Sequence, residues 1–257
     1  MVEEVKEEKK ENEVEEVKEI EKVPTEEAAP VEAEKIKEIV PSPLETWKPK
    51  TSLGKDVFEG KITDIEEILK SGRKIVEPEI VDRLVPNLKN EIILIGGRAG
   101  KGGGAQRIPV KMTATMHKSG RRFTASAFAV VGNEDGLIGI GKGSALEARN
   151  AIIKSIQKAK LKIIKVKRGC GSWECGCGQE HSIPFKIKGK SGSVIVELMP
   201  APKGVGLVAD DESKKIFKLA GIKDIWARTF GNTKARINLI SAIYDALKKL
   251  YIYERGE

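Results

Sequence analysis

The chain is short of the residues that secretion, membrane insertion and hydrolytic chemistry draw on. Of its 257 residues only three are cysteine and two histidine. An odd cysteine count, with Cys175 and Cys177 one residue apart, is not the paired framework of a secreted disulfide-rich domain. No apolar run approaches the roughly 20 residues that span a bilayer. Acidic Glu3 and Glu4 stand where a secretory signal begins with basic charge. Neither His117 nor His181 has a serine nearby with a recognisable base and orienting carboxylate, so no catalytic triad is legible. These absences point to a cytoplasmic, non-catalytic protein.

What is present is charge, unevenly placed. The formal net charge is +8, yet residues 1–40 hold 7 Lys and 15 Glu, so a tail of −8 joins a body of +16. A body this basic is an electrostatic footprint for nucleic acid or an anionic membrane, and the lack of an apolar span favours nucleic acid. The Glu/Lys-rich tail of residues 1–45, interrupted by Pro24, Pro30, Pro41 and Pro43, cannot bury enough apolar area to offset chain entropy. It reads as disordered, with a transient helix around Val14, Val17 and Ile20 as the alternative.

Residues 46–90 read as an arm with short helices, one on Ile62, Ile65, Ile68 and Leu69, the next on Ile80, Leu84 and Leu88 behind Pro78. A glycine burst from Gly96 to Gly104 reads as a flexible basic loop. It is no P-loop, because Ile95 and Gly102 stand where that motif needs glycine and Ser/Thr. Alternation then predicts a half-buried strand carrying Val110, Met112, Ala114 and Met116. A turn at Lys118-Ser119-Gly120 follows, then a second strand with Phe123, Ala125, Ala127, Ala129 and Val131 inward. A turn at Asn133–Gly136 leads to a third strand at Leu137–Ile140. Ser144 and Glu147 have capping-box spacing before a helix burying Ala148, Ile152, Ile156 and Ala159. Three antiparallel strands followed by a packed helix is the layout of a small double-stranded-RNA-binding module. Residues 183–199 read as a hairpin turning at Gly189–Gly192. A helix with Ile216 and Leu219 ends at Gly221, a short strand covers Ile222–Trp226, and a last helix buries Ile237, Ile240, Ile243, Tyr244, Leu247 and Tyr251.

Three stretches set glycines and a cation ahead of expected helix starts: Gly139–Gly143 with Lys142, Pro202–Gly206 with Lys203, and Arg228–Asn232 with Arg228. Exposed N–H groups at a helix N-terminus attract anions, so these stretches read as phosphate contacts or as plain turns. The first also resembles a dinucleotide fingerprint, but its third glycine is Ser144, and the basic run Lys160–Lys167 replaces the acidic ribose partner. The strongest contact candidate is the hairpin tip with Lys118, Arg121 and Arg122, whose guanidinium forks suit phosphate. Cys170, Cys175, Cys177 and His181 can complete a tetrahedral structural zinc site, or stand as a reduced, metal-free loop. Trp173 and Trp226 read as core residues first and as base-stacking residues second.

Several long motifs, in order, resemble the universal small-subunit ribosomal protein S-five family in its archaeal form. They are Trp47–Gly54, Gly60–Ile68, Ser119–Phe123, Gly136–Gly143, Val166–Cys170, Gly192–Val194, Met199–Gly206 and Ala220–Trp226. The resemblance covers about four-fifths of the chain, and the cysteine-rich segment looks like the archaeal version. The stretch from Gly96 to about Lys111 is longer and richer in glycine than the family pattern.

The resemblance implies an α+β fold. A double-stranded-RNA-binding-like domain (91–167) would be followed by an α/β layer of the S-five second-domain-like type (168–257). It implies a structural constituent of the small ribosomal subunit that requires no cofactor. That constituent would bind small-subunit rRNA, neighbour S-four and S-eight, and lie near the path by which mRNA enters, where it supports accuracy. It also implies backbone contacts through Lys118, Arg121, Arg122, Lys142, Arg168 and Lys203. Two other classes compete. A nucleotide-dependent enzyme would need a nucleotide loop and a catalytic carboxylate or Lys, and a zinc-dependent regulator would need a second ligand cluster or a base-reading helix.

Overall fold

Three short helices, α1 (Ser52–Phe58), α2 (Ile65–Ser71) and α3 (Pro78–Leu84), open the body. The structure, a computed structural model, describes residues 47–99 and 105–255. The expectation of a disordered tail at 1–45, with its transient helix, and the tip of the glycine burst at 100–104 lie outside those residues. Thr51 caps α1 by accepting the Gly54 N–H at 3.0 Å, and Pro78 starts α3 where its missing N–H costs nothing. Glu77 ties the arm together by accepting from Trp47 Nε1 at 2.8 Å and from the Thr51 N–H at 2.7 Å. Leu53, Val57, Ile65, Ile68, Ile80 and Val81 then form one small core with Leu137 and Ile163.

Next come β1 (Lys89–Ile92), β2 (Gly96–Ala99), β3 (Ala105–Ile108), β4 (Val110–His117), β5 (Gly120–Gly132), β6 (Leu137–Ala145), α4 (Ala148–Lys160) and β7 (Ile163–Lys165). The main sheet is antiparallel in the order β1-β5-β6-β7. The long β5 pairs with β4 along Gly120–Ala127 and with β1 along Ala129–Gly132. The glycine burst is therefore not all loop, since β2 pairs with β3 as a two-stranded ribbon.

Two further expectations change here. The third strand does not stop at Ile140. It runs to Ala145, so the Ser144–Glu147 capping box does not form; Glu147 is the N-cap of α4 and makes no side-chain cap bond. The buried face of α4 is centred on Ala151, Ser155 and Ala159, while Ala148 is exposed and Ile152 and Ile156 are half-buried. The cause lies across the interface. A methyl group added at Gly139, Gly141 or Gly143 would stand 2.2–2.3 Å from α4 backbone atoms at Ala159, Ser155 or Ala151. Alternating glycines let the helix backbone rest on the strand, and only small helix residues fit that gap.

The rest of the chain forms β8 (Ile187–Ser191), β9 (Val194–Pro200), β10 (Leu207–Val208), α5 (Asp211–Leu219), β11 (Ile225–Phe230) and α6 (Arg236–Arg255). The sheet order is β10-β11-β9-β8, parallel only between β10 and β11. The expected strand at Ile222–Trp226 begins at Ile225 and continues to Phe230, because β9 offers partners from Pro200 to Ile195. Gly189 belongs to β8 rather than to the turn, and an added methyl group there would meet Ala242 O at 2.0 Å. Helix α6 buries Ile240, Ile243 and Leu247 as expected, together with Leu239, Ala242, Ala246 and Leu250. One apolar cluster joins Phe128, Val130, Ile138 and Ile140 of the first sheet to Val196, Leu198, Ile225, Phe217 and the α6 residues. Each fully buried Ile, Leu or Phe in it contributes about 1.5–3 kcal/mol.

Candidate nucleic-acid interface and metal centre

The β4–β5 hairpin outruns the helix that covers its base. Val110, Ala125 and Ala127 pack with Ala151, but beyond them Met112 is 61% and Met116 80% exposed. Of the half-buried strand predicted there, Val110 is buried and Ala114 half-buried, while the rest is exposed. At the tip, Lys118, Arg121 and Arg122 are all exposed. Arg121 lies opposite Met116 and Arg122 opposite Thr115, so strand alternation sends the two guanidinium groups to opposite faces. Arg121 sits 5.2 Å over the Phe123 ring, and Arg122 donates to Ser119 Oγ at 3.2 Å. Cations held this way can grip phosphate from both sides of the ribbon.

The second sheet has a charged outer face that sequence reading missed. Ile187, Gly189 and Ile225 point into the core, so Lys188, Lys190, Trp226, Arg228 and Phe230 project to the other side. Arg228 stands 4.9 Å over the Phe230 ring. Glu197, the acid among them, bridges Lys188 at 2.6 Å and Lys186 at 2.9 Å. Those two ammonium groups, Lys188 first, hold its carboxyl down to about 2. The signal was available as the alternation Lys186-Ile187-Lys188-Gly189-Lys190, overlooked because Gly189 was assigned to a turn.

None of the three glycine stretches is a free helix N-terminus. Gly139–Gly143 lies inside β6, with Lys142 exposed on the side away from α4. In Pro202–Gly206 the N–H groups of Gly204 and Gly206 are taken by Asp224 Oδ1 at 3.1 and 2.8 Å, and β10 intervenes before α5. Arg228 lies within β11, separated from α6 by the turn at 231–235. Arg168 is also engaged within the chain: its side chain is 18% exposed and paired with Asp135 and Glu180.

Cys170, Cys175, Cys177 and His181 converge, with one ligand atom from each lying within 4.8 Å of all the others. The short antiparallel bridge between Gly169 and Ser182 closes the loop that carries them. The Cys175 and Cys177 sulfurs are 3.3 Å apart, those of Cys177 and Cys170 3.7 Å, and Cys175 Sγ is 3.6 Å from His181 Nε2. Ligands at tetrahedral zinc distances stand about 3.8 Å apart between sulfurs and about 3.6 Å from sulfur to nitrogen, so the donor set fits that ion. His181 is 4% exposed, and its Nδ1 lies 2.9 Å from Asp224 Oδ2. An ionised carboxylate only accepts, so Nδ1 carries the proton and the Nε2 lone pair faces the sulfurs. The backbone N–H of Lys203, then that of Cys177, pulls the Cys175 thiol down to about 6. Trp173, expected first as a core residue, stands on this loop at 93% exposure. Trp226 is half-buried.

Two family models match the chain, one over each of the two sheet regions. The model for ribosomal protein S5, N-terminal domain, matches residues 105–167, and that for ribosomal protein S5, C-terminal domain, matches residues 189–256. The small ribosomal subunit protein uS5 of Nanoarchaeum equitans is 53% identical over 207 residues, 80% of this chain and 89% of that protein.

The chain belongs to the ribosomal protein S5 family.

Other uS5 relatives of the chain agree. That of Methanocaldococcus jannaschii is 51% identical over 80% of this chain and 88% of its own length. That of Methanobrevibacter smithii is 47% identical over 83% and 93%. In this S5-family chain the cysteine-rich segment falls at residues 168–188, between the two matched domains.

Proposed function

We infer that the chain is a structural constituent of the small ribosomal subunit, binding rRNA and catalysing nothing. The observation that carries this is a two-sheet body of the S5 family with cations at the open end of one sheet and on the uncovered face of the other. As a ribosomal protein its place is the ribosome, and no helix among the described residues is long and apolar enough to cross a membrane.

The antiparallel β4-β5-β6 sheet backed by α4 supports a double-stranded-RNA-binding-like domain over 91–167, with the S5 C-terminal domain following over 168–257. Lys118, Arg121 and Arg122 reach phosphates from the hairpin tip, and Lys142, Lys203 and Arg228 add contacts from exposed strand and loop positions. Arg168 acts differently, joining the turn at Asp135 to the cysteine loop through its two ion pairs. Phosphate neutralisation releases counterions, so binding falls steeply with salt, and folded RNA is read by shape. The neighbours are S-four and S-eight, near the path by which mRNA enters, as the family resemblance implies. Replacing Arg121 and Arg122 together with Ala should lower affinity for an rRNA fragment and reduce the log–log salt slope by about 2. An unchanged slope removes the hairpin from the interface.

Cys170, Cys175, Cys177 and His181 hold one structural zinc ion, with Asp224 orienting the imidazole. A metal with four protein ligands supplies folding energy and leaves no open position for chemistry. Elemental analysis of the purified chain should find about one zinc per chain, lost in Cys175→Ser.

A further inference from the structure

The Pro202–Gly206 loop has little apolar core of its own. Lys203, Gly204 and Val205 are exposed, and Gly206 is half-buried. Its shape is nevertheless specific, with Gly204 at φ +97° and Gly206 at φ +75°. Besides a turn within the loop (Val205 N–H to Pro202 O, 3.4 Å) and the Ile225 N–H that Gly206 O accepts at 3.2 Å, its bonds run to the segment carrying the cysteines and His181 and to Asp224. Lys203 Nζ donates to Gln179 Oε1 at 2.9 Å, the Ala201 N–H donates to Ser182 Oγ at 3.2 Å, and the Lys203 N–H points at the Cys175 sulfur. The central link is Asp224, 4% exposed. Its Oδ2 meets His181 Nδ1 at 2.9 Å, while its Oδ1 accepts the N–H groups of Gly204 and Gly206. The backbone closes the same circuit, since His181 O accepts from the Lys223 and Asp224 N–H groups at 2.9 and 3.0 Å.

We propose that the Cys₃His cluster and the Lys203 loop form one unit, in which Asp224 transmits metal occupancy to the loop that presents Lys203 to RNA. The proposal rests on the zinc reading above. A ligating imidazole is fixed in place and becomes a stronger Nδ1–H donor, which fixes the carboxylate it bonds. That carboxylate then fixes the two glycine amides of an exposed loop, the Gly204 and Gly206 N–H groups having no partner among the described residues other than its Oδ1. Because coupling between binding and ordering is reciprocal, a disordered loop must in turn loosen the metal. Asp224 is thus a positioning residue that touches neither the ion nor RNA. The loop glycines expected to cradle a phosphate instead hold an internal carboxylate and aim a lysine outward.

Amide hydrogen exchange on the full chain, before and after zinc removal by a chelator, reads this coupling. Zinc loss should speed exchange across 201–206 by about tenfold or more while residues 239–250 of α6 keep their protection. Asp224→Asn should weaken zinc by about 10–100-fold and leave the loop fast-exchanging even at saturating zinc. A merely structural role for Asp224 would instead raise exchange throughout the body. Zinc loss that leaves the loop unchanged overturns the coupling and spares the zinc reading. Loss that deprotects α6 equally also overturns it, because the metal would then hold the whole fold. A purified chain without zinc overturns both. If Asp224→Asn does not fold, the chelation experiment on the unaltered chain decides alone.

Discussion

Gly139, Gly141 and Gly143 of β6 and Gly204 and Gly206 of the Lys203 loop are the same residue put to opposite uses. In β6 the missing side chain matters because of what lies across the interface, helix backbone within 2.2–2.3 Å of each absent methyl group. In the loop nothing lies within 4 Å of an added methyl group at either glycine, and what matters is the positive φ that turns both amides onto Asp224. One region is held by close contact between backbones, the other by hydrogen bonds to a buried charge. A glycine cluster with a lysine therefore does not encode an anion site. What it encodes is permission for backbone to come close, and the neighbour decides what comes.

The contrast can be broken at its strongest point first. Gly141→Ala forces a methyl group against Ala159 N and Ser155 O, both backbone, so the helix itself must move. The expected loss is about 3 kcal/mol, the upper range for overpacking, seen as a lower urea midpoint at constant m-value. A midpoint equal to that of the parent chain would mean the seam is slack. Gly204→Ala meets open space and costs about 1–2 kcal/mol for a side chain at positive φ. That cost should fall on the loop, as faster exchange of the Gly206 amide, with the global midpoint shifted less than by Gly141→Ala.

The smallest effect concerns titration, for which the glycine seam has no groups while the outer sheet face does. Glu197, pushed down to about 2 by Lys188 and Lys186, stays ionised in the folded chain well below its ordinary 4.5. The unfolded chain takes up that proton first, so the stabilisation is complete above about 4.5 and fades as pH falls toward 2. Urea midpoints between pH 6 and 2.5 should fall less steeply for Glu197→Gln than for the parent. Parallel curves would show that the lysine pairs do not survive in solution.

Much of the fold was legible because it depends on local pattern. The apolar spacing of α6 marked Ile240, Ile243 and Leu247 correctly, since a 3.6-residue period needs no knowledge of the partner. The gathering of Cys170, Cys175, Cys177 and His181 was legible for a similar reason, as twelve residues of chain cannot separate far. Lys118, Arg121 and Arg122 were placed on a hairpin tip by alternation and turn chemistry alone. The failures share a different character. The end of β6 was misread because Ser144 and Glu147 have capping-box spacing, while the pairing that carries the strand on to Ala145 comes from β5. The pairing of Arg168 with Asp135 and Glu180 was not legible, because it depends on how the turn at Asp135 and the cysteine loop fold back against that side chain. Trp173 looked like core because tryptophan usually is, and no neighbouring residue announces that its loop stands off the body.

By itself the sequence settled the basic body with its acidic tail, the strand and helix periodicities, and the gathering of three sulfurs and an imidazole. All of these follow from composition or from residues a few positions apart. Only the tertiary structure decided that one glycine row seats a helix, that Asp224 takes the loop amides, and that Arg168 turns inward. Each of those outcomes depends on which backbone or charge arrives from elsewhere in the chain, and short-range preference carries no record of distance across a packed interface.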